Sequence, residues 1–193
     1  MKILNIHGYN GSAHNTAYGI LENLFPGQIV SPQFDYDRYT PNNVMSILER
    51  LIKEDKIEAI VGTSLGGFFA SCLSTNLEIP VILINPCLLP FITLRKISET
   101  GSISTLAGNQ FYELFGNHMG NLDMRYLSVI AGKSDEIINH KEITKYLVKT
   151  SRYDEIEGGH SFENTEVLAS KISEIFRHYQ ENLPLIQMGE TLQ

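Results

Sequence analysis

Residues Ile57-Glu58-Ala59-Ile60-Val61 run directly into Gly62-Thr63-Ser64-Leu65-Gly66-Gly67, and these into the apolar, proline-free stretch Phe68-Phe69-Ala70-Ser71-Cys72-Leu73. The first run is rich in β-branched residues and reads as a buried strand, and the last is long enough for a buried helix. A strand that turns sharply into a helix brings two backbones so close that side chains two before and two after the turn would collide. Gly62 and Gly66 remove those side chains. The residue at the bend is then held in a strained conformation that lifts its side chain off the sheet, and the first N–H groups of the helix point to the same place. The pattern G-x-S-x-G is too short to carry weight alone, but in a strand-turn-helix setting it makes Ser64 a candidate nucleophile and the Leu65 N–H a candidate oxyanion donor.

Strand and helix signals alternate through the rest of the chain, the pattern of an α/β fold with a mostly parallel sheet and helices on both faces. Strands are expected at Lys2–Ile6, Gln28–Val30, Val81–Ile84, Tyr126–Ala131 and Arg152–Ile156. Helices are expected at Thr16–Phe25, from Pro41 onward with Val44, Ile47, Leu48, Leu51 and Ile52 on one face, at Asn139–Lys149 with Ile143, Tyr146 and Leu147 inward, and at Asn164–Tyr179. Leu88 to Asp123 reads as irregular and is the only room for a lid. The loop Ser31–Thr40 carries Phe34, Tyr36 and Tyr39, aromatics suited to packing. At 193 residues the chain fits a single domain over residues 1–180, followed by a patternless tail, 181–193, that is expected to fray.

A net charge of -7 with no basic cluster argues against a nucleic-acid partner. No apolar stretch approaches the roughly 18 to 20 residues of a membrane span, and the N-terminal apolar run is too short for a signal peptide, so no membrane partner and a cytoplasmic location are expected. Cys72 and Cys87 form neither a disulfide framework nor a metal-ligand spacing and read as buried small hydrophobes. No metal and no organic cofactor are expected.

A serine hydroxyl needs a base to take its proton, and the base needs an acid to fix its tautomer. His160 lies in Glu157-Gly158-Gly159-His160-Ser161-Phe162, a glycine-loosened loop between the last strand and last helix, at the carboxyl edge where such sheets place ligands. It is the candidate base, and a histidine base implies activity rising with pH through a midpoint of about 6 to 7. His14, His118, His140 and His178 fall at surface or capping positions and receive no role. The acid is sought in Gly132-Lys133-Ser134-Asp135-Glu136, after the strand ending at Ala131; Asp135 is preferred to Glu136 because the shorter side chain at the loop apex suits a buried imidazole. A second oxyanion donor is expected from His7-Gly8-Tyr9-Asn10-Gly11-Ser12, with the Tyr9 N–H as candidate, Gly8 allowing the approach, and Ser12 or a buried, structural His7 in support.

Together, His7-Gly8-Tyr9, Gly62 through Gly67, Ile84-Asn85-Pro86, Gly132 through Glu136, and Gly158 through Phe162 resemble the small bacterial α/β-hydrolases of the YqiA/YcfP esterase-like family, over Lys2 to about Tyr179. The resemblance implies a minimal α/β-hydrolase fold with little or no cap, and places Ser64, Asp135 and His160 at the family's triad positions. It departs in the loop Asn10-Gly11-Ser12-Ala13-His14, where a more serine- and proline-rich run is the pattern. The activity implied is hydrolysis of a small-molecule carboxylic ester, with thioesterase, other acyl hydrolase and a vestigial, ligand-binding hydrolase fold as alternatives.

Overall fold

The computed structural model describes residues 1–75, 77–97, 103–149 and 152–187. Among these residues six strands form one parallel sheet: β1 (Ile3–Ile6), β2 (Ile29–Val30), β3 (Ala59–Thr63), β4 (Val81–Ile84), β5 (Leu127–Gly132) and β6 (Tyr153–Ile156), in the order β2-β1-β3-β4-β5-β6. With a helix layer on each side, the central strands β3 and β4 are apolar on both faces. Alternation then sorts the strand residues between two cores. Leu4, Ile6, Ile60, Val81, Leu83 and Val129 face one core, while Ile3, Ala59, Val61, Ile82, Ile84 and Ile130 face the other.

The first core is covered by α2 (Pro41–Asp55), α3 (Leu65–Ser74) and α5 (Thr105–His118), and the second by α1 (Thr16–Leu24) and α7 (Thr165–Gln187). Asn15 and Thr40 cap α1 and α2 by accepting the Tyr18 and Asn43 N–H groups. Pro41 opens α2, and Lys56 closes it in the left-handed conformation.

Three regions depart from the sequence reading. The stretch Leu88–Asp123 holds α4 (Pro90–Ile97), α5 and a 3₁₀ turn at Met119–Asn121. Ser104 caps α5, and Phe111 packs 5.6 and 6.0 Å from the Phe68 and Phe69 rings, so α5 belongs to the layer over the sheet. The expected helix Asn139–Lys149 is a π-helical turn, His140–Thr144, followed by one short helix, α6 (Lys145–Leu147), and Tyr146 is exposed rather than inward. The last helix continues past Tyr179 and through Pro184 to Gln187 because Ile186 is buried in the second core, against the expectation of fraying from residue 181; residues 188–193 lie outside the described residues. Among the described residues, no helix is long and apolar enough to cross a membrane.

The chain winds from β1 outward to β2 and then back across to β3, so the direction of winding reverses between β1 and β3. Parallel sheets bind ligands outside the carboxyl ends of the strands at such a point. The loop after β1 begins with His7, and the turn after β3 carries Ser64.

Candidate active site

Ser64 occupies φ 53°, ψ -117° between β3 and α3, a conformation costing on the order of 1–3 kcal/mol that persists only because its surroundings fix it. The Ser64 N–H donates to the Ile84 carbonyl, and its own carbonyl accepts from Gly67 and Cys87 N–H groups. The two glycines are steric necessities. A Cβ on Gly66 would lie 2.1 Å from the Ile6 carbonyl oxygen, and one on Gly62 would lie 2.4 Å from the Gly66 oxygen. Because Ile6 is pinned in the middle of the sheet, Gly66→Ala is expected to destabilise the fold by about 3 kcal/mol or more, at the upper end for overpacking. Chemical denaturation measures this, and a variant of parental stability would contradict the close passage of α3 over β1.

His160 reaches Ser64 from the loop after β6. The Ser64 hydroxyl donates to His160 Nε2 at 3.0 Å, and His160 Nδ1–H donates to Asp135 Oδ2 at 2.9 Å, a carboxylate being able only to accept. The structure thus brings together the three side chains that the sequence singles out in order Ser, Asp, His. Asp135 emerges after β5 with a side chain 1% exposed. Burial opposes its ionisation, but hydrogen bonds from His140, His160 and the Ile138 N–H outweigh it and hold the carboxyl well below the usual carboxylate range. Glu136 is exposed and turned elsewhere: its Oε2 accepts the His160 backbone N–H at 2.9 Å, which steadies the loop and lowers the Glu136 pKa.

His140, given no role from the sequence, is buried and donates from Nε2 to the same Asp135 Oδ2 at 2.6 Å. Its position at the start of an apparent helix disguised it, since the π-helical turn that carries the ring inward leaves no periodic signature. Asn85 is a second residue without an assigned role. Fully buried, at φ 43°, it donates from Nδ2 to the Gly159 and His160 carbonyls at 3.0 and 2.9 Å and accepts the Gly132 N–H at 2.7 Å. Asparagine tolerates the left-handed region better than most residues, and its position before Pro86 was the only signal.

Leu65 is the first residue of α3, so its N–H has no carbonyl partner within the helix and lies beside Ser64. Gly8 lies against the serine, where a Cβ would come within 2.9 Å of Ser64 Cβ, so the Gly8–Tyr9 peptide borders the nucleophile. Beneath it His7 is buried, donating from Nδ1 to the Gly8 carbonyl at 2.8 Å and accepting the Phe34 N–H on Nε2 at 3.0 Å; burial lowers its pKa, against the smaller effect of the Gly8 bond. The Tyr36 hydroxyl donates to the His7 carbonyl at 2.7 Å. His7 therefore ties the Tyr9 turn to the loop after β2. Ser12 is exposed.

A cavity of about 190 Å³ opens onto Ser64 and His160, walled by Tyr9, Asn15, Ala17, Ile84, Phe162 and Leu168. On another side of Tyr9 a recess of about 300 Å³, lined by Tyr36, Tyr39, Leu94 and Phe111, has neither Ser64 nor His160 in its walls. Cys72 and Cys87 are buried, and burial pushes the Cys87 thiol up to about 12, which removes it as a nucleophile. Among the described residues, no group of three or more His, Cys, Asp or Glu side chains could hold a metal ion.

The model of an uncharacterised protein family (UPF0227) matches residues 2–177. Among solved structures the chain is similar to Est1E from Butyrivibrio proteoclasticus with ferulic acid bound, at 14% identity and a TM-score of 0.70 over 91% of this chain and 88% of that one. It is also similar to an esterase of Pyrococcus furiosus, at 15% identity and a TM-score of 0.62 over 93% and 81% of the two chains. A third likeness is to the type II thioesterase BorB from the borrelidin biosynthetic cluster, at 17% identity and a TM-score of 0.59 over 91% of each chain. These likenesses establish the α/β-hydrolase fold.

Proposed function

Because this chain belongs to the uncharacterised family UPF0227, the family of YqiA/YcfP-like proteins, we propose that it is a serine hydrolase that cleaves small carboxylic esters through an acyl-enzyme. The observation that carries this reading is the continuous hydrogen-bonded line from Ser64 through His160 to Asp135, with Ser64 strained upright at the switch point of the sheet. Similarity to proteins named as esterases and a thioesterase supports acyl hydrolysis as the general class.

In this mechanism His160 Nε2 takes the Ser64 proton as Oγ attacks the ester carbonyl, and Asp135 orients the ring and stabilises the imidazolium. The Leu65 and Tyr9 N–H groups hold the oxyanion. His160 then protonates the departing alcohol, and water repeats the sequence to release the acid. The 190 Å³ cavity favours a short acyl or small alcohol part over a long chain. Action on a small ester by a single domain in the cytoplasm is part of the same reading.

The test is a fluorophosphonate probe, which bonds covalently only to an activated serine. Rapid labelling of the folded protein, with the adduct on Ser64 by mass spectrometry, is expected. Folded protein that stays unlabelled would sink the reading and favour a hydrolase-fold binding protein.

A further inference from the structure

Asp135 spends every acceptor site it has. A carboxylate offers about four lone-pair directions. Oδ1 accepts the Ile137 and Ile138 N–H groups, each at 2.9 Å, and Oδ2 accepts from His140 Nε2 at 2.6 Å and His160 Nδ1 at 2.9 Å. The side chains of Asp135 and His140 are 1% and 4% exposed, so no bulk water substitutes for any of the four donors. On the far side of the His140 ring, Thr144 Oγ1 lies 2.8 Å from Nδ1. With Nε2 committed as a donor, the neutral ring accepts there, and the Thr144 hydroxyl donates.

We propose that His140 is a positioning residue for the hydrolytic reaction, an inference that rests on the Ser64–His160–Asp135 reading. By filling the second lone pair of Oδ2 it leaves His160 one direction in which to donate, which fixes the plane of the His160 ring and hence the line from Nε2 to Ser64. Thr144 steadies the His140 ring from its far edge in turn. His140 therefore sets the aim of His160. Lys133, Glu136, Lys141 and Glu155 share with His140 the lining of a cavity of about 360 Å³, and the Tyr153 hydroxyl donates to the His140 carbonyl at 3.4 Å.

The substitutions that separate this role from mere packing are His140→Leu, which fills the space without a donor, and His140→Gln, whose amide can donate to Oδ2. With p-nitrophenyl acetate, His140→Leu is expected to lose about 10- to 100-fold in kcat, by analogy with removing the outer hydrogen-bond partner of a metal ligand, with KM within about threefold. His140→Gln should recover most of the loss. Thr144→Val, isosteric and expected to fold even if His140→Leu does not, should lower kcat severalfold by removing the hydrogen bond that steadies the His140 ring. A folded His140→Leu variant with parental kcat, equal losses in Leu and Gln, or an unaltered Thr144→Val where the Leu variant fails to fold, would each overturn the proposal. A parent protein that fluorophosphonate does not label would instead overturn the hydrolase reading itself, and this inference with it.

Discussion

Ser64→Ala is expected to cut turnover of p-nitrophenyl acetate by a factor on the order of 10⁴ to 10⁶, the range seen when a hydrolase loses its nucleophile but keeps its oxyanion donors and binding cavity. The fold should survive, since alanine at this bend meets the same backbone strain as serine and loses only the hydroxyl that donates to His160. A protein purified in parallel from cells lacking the gene sets the background. Retention of more than about a hundredth of the parental rate above that background would overturn Ser64 as the nucleophile.

Asp135→Asn is expected to cost on the order of 10⁴ in turnover, the loss measured in chymotrypsin-type enzymes, and here the surroundings supply a specific cause. All four partners of Asp135 are N–H groups, whereas asparagine has one oxygen and one NH₂. If the NH₂ faces His160, the ring must accept on Nδ1 and carry its proton on Nε2, pointing at Ser64 instead of receiving from it. If it faces the loop, it opposes the Ile137 and Ile138 N–H groups, and the strain is released by turning back. Glu136→Gln changes the charge of the same loop but keeps an oxygen for the His160 backbone N–H, so it should stay within about threefold of the parent. Steady-state kinetics on both variants, with circular dichroism to establish folding, decides. A large loss in Glu136→Gln with an active Asp135→Asn would reverse the assignment, and mild losses in both would place the acid elsewhere; Asp123, the next carboxylate by sequence, is committed to Arg125 at 2.7 Å.

The parts of this site that sequence makes legible are those dictated by short-range sterics. Gly62 and Gly66 have to be small wherever a strand folds back under its own helix, and Gly158-Gly159 announce a loop near His160. Continuous apolar strands reveal a sheet covered on both sides. What stays hidden depends on tertiary contact. In α5, Gly108 and Gly116 dilute the helix signal, and the Phe111 and Leu114 face makes sense only against α3. Pro184 reads as a stop, yet burial of Ile186 outweighs the single backbone bond that proline removes. His140 and Asn85 are ordinary by spacing, and their importance lies in partners far along the chain or held by backbone conformations that no periodicity announces.

Asn85 has a dynamic consequence. One amide, fixed at the end of the central strand β4, holds the carbonyls of the loop bearing His160 and the amide at the root of the loop bearing Asp135. Neither loop can peel away without breaking bonds that also anchor the other, in a place shut off from water. Base and acid therefore share one cooperative unit with the middle of the sheet, and their local opening is governed by the stability of the core strands, while the surface helices around them are left to fluctuate on their own.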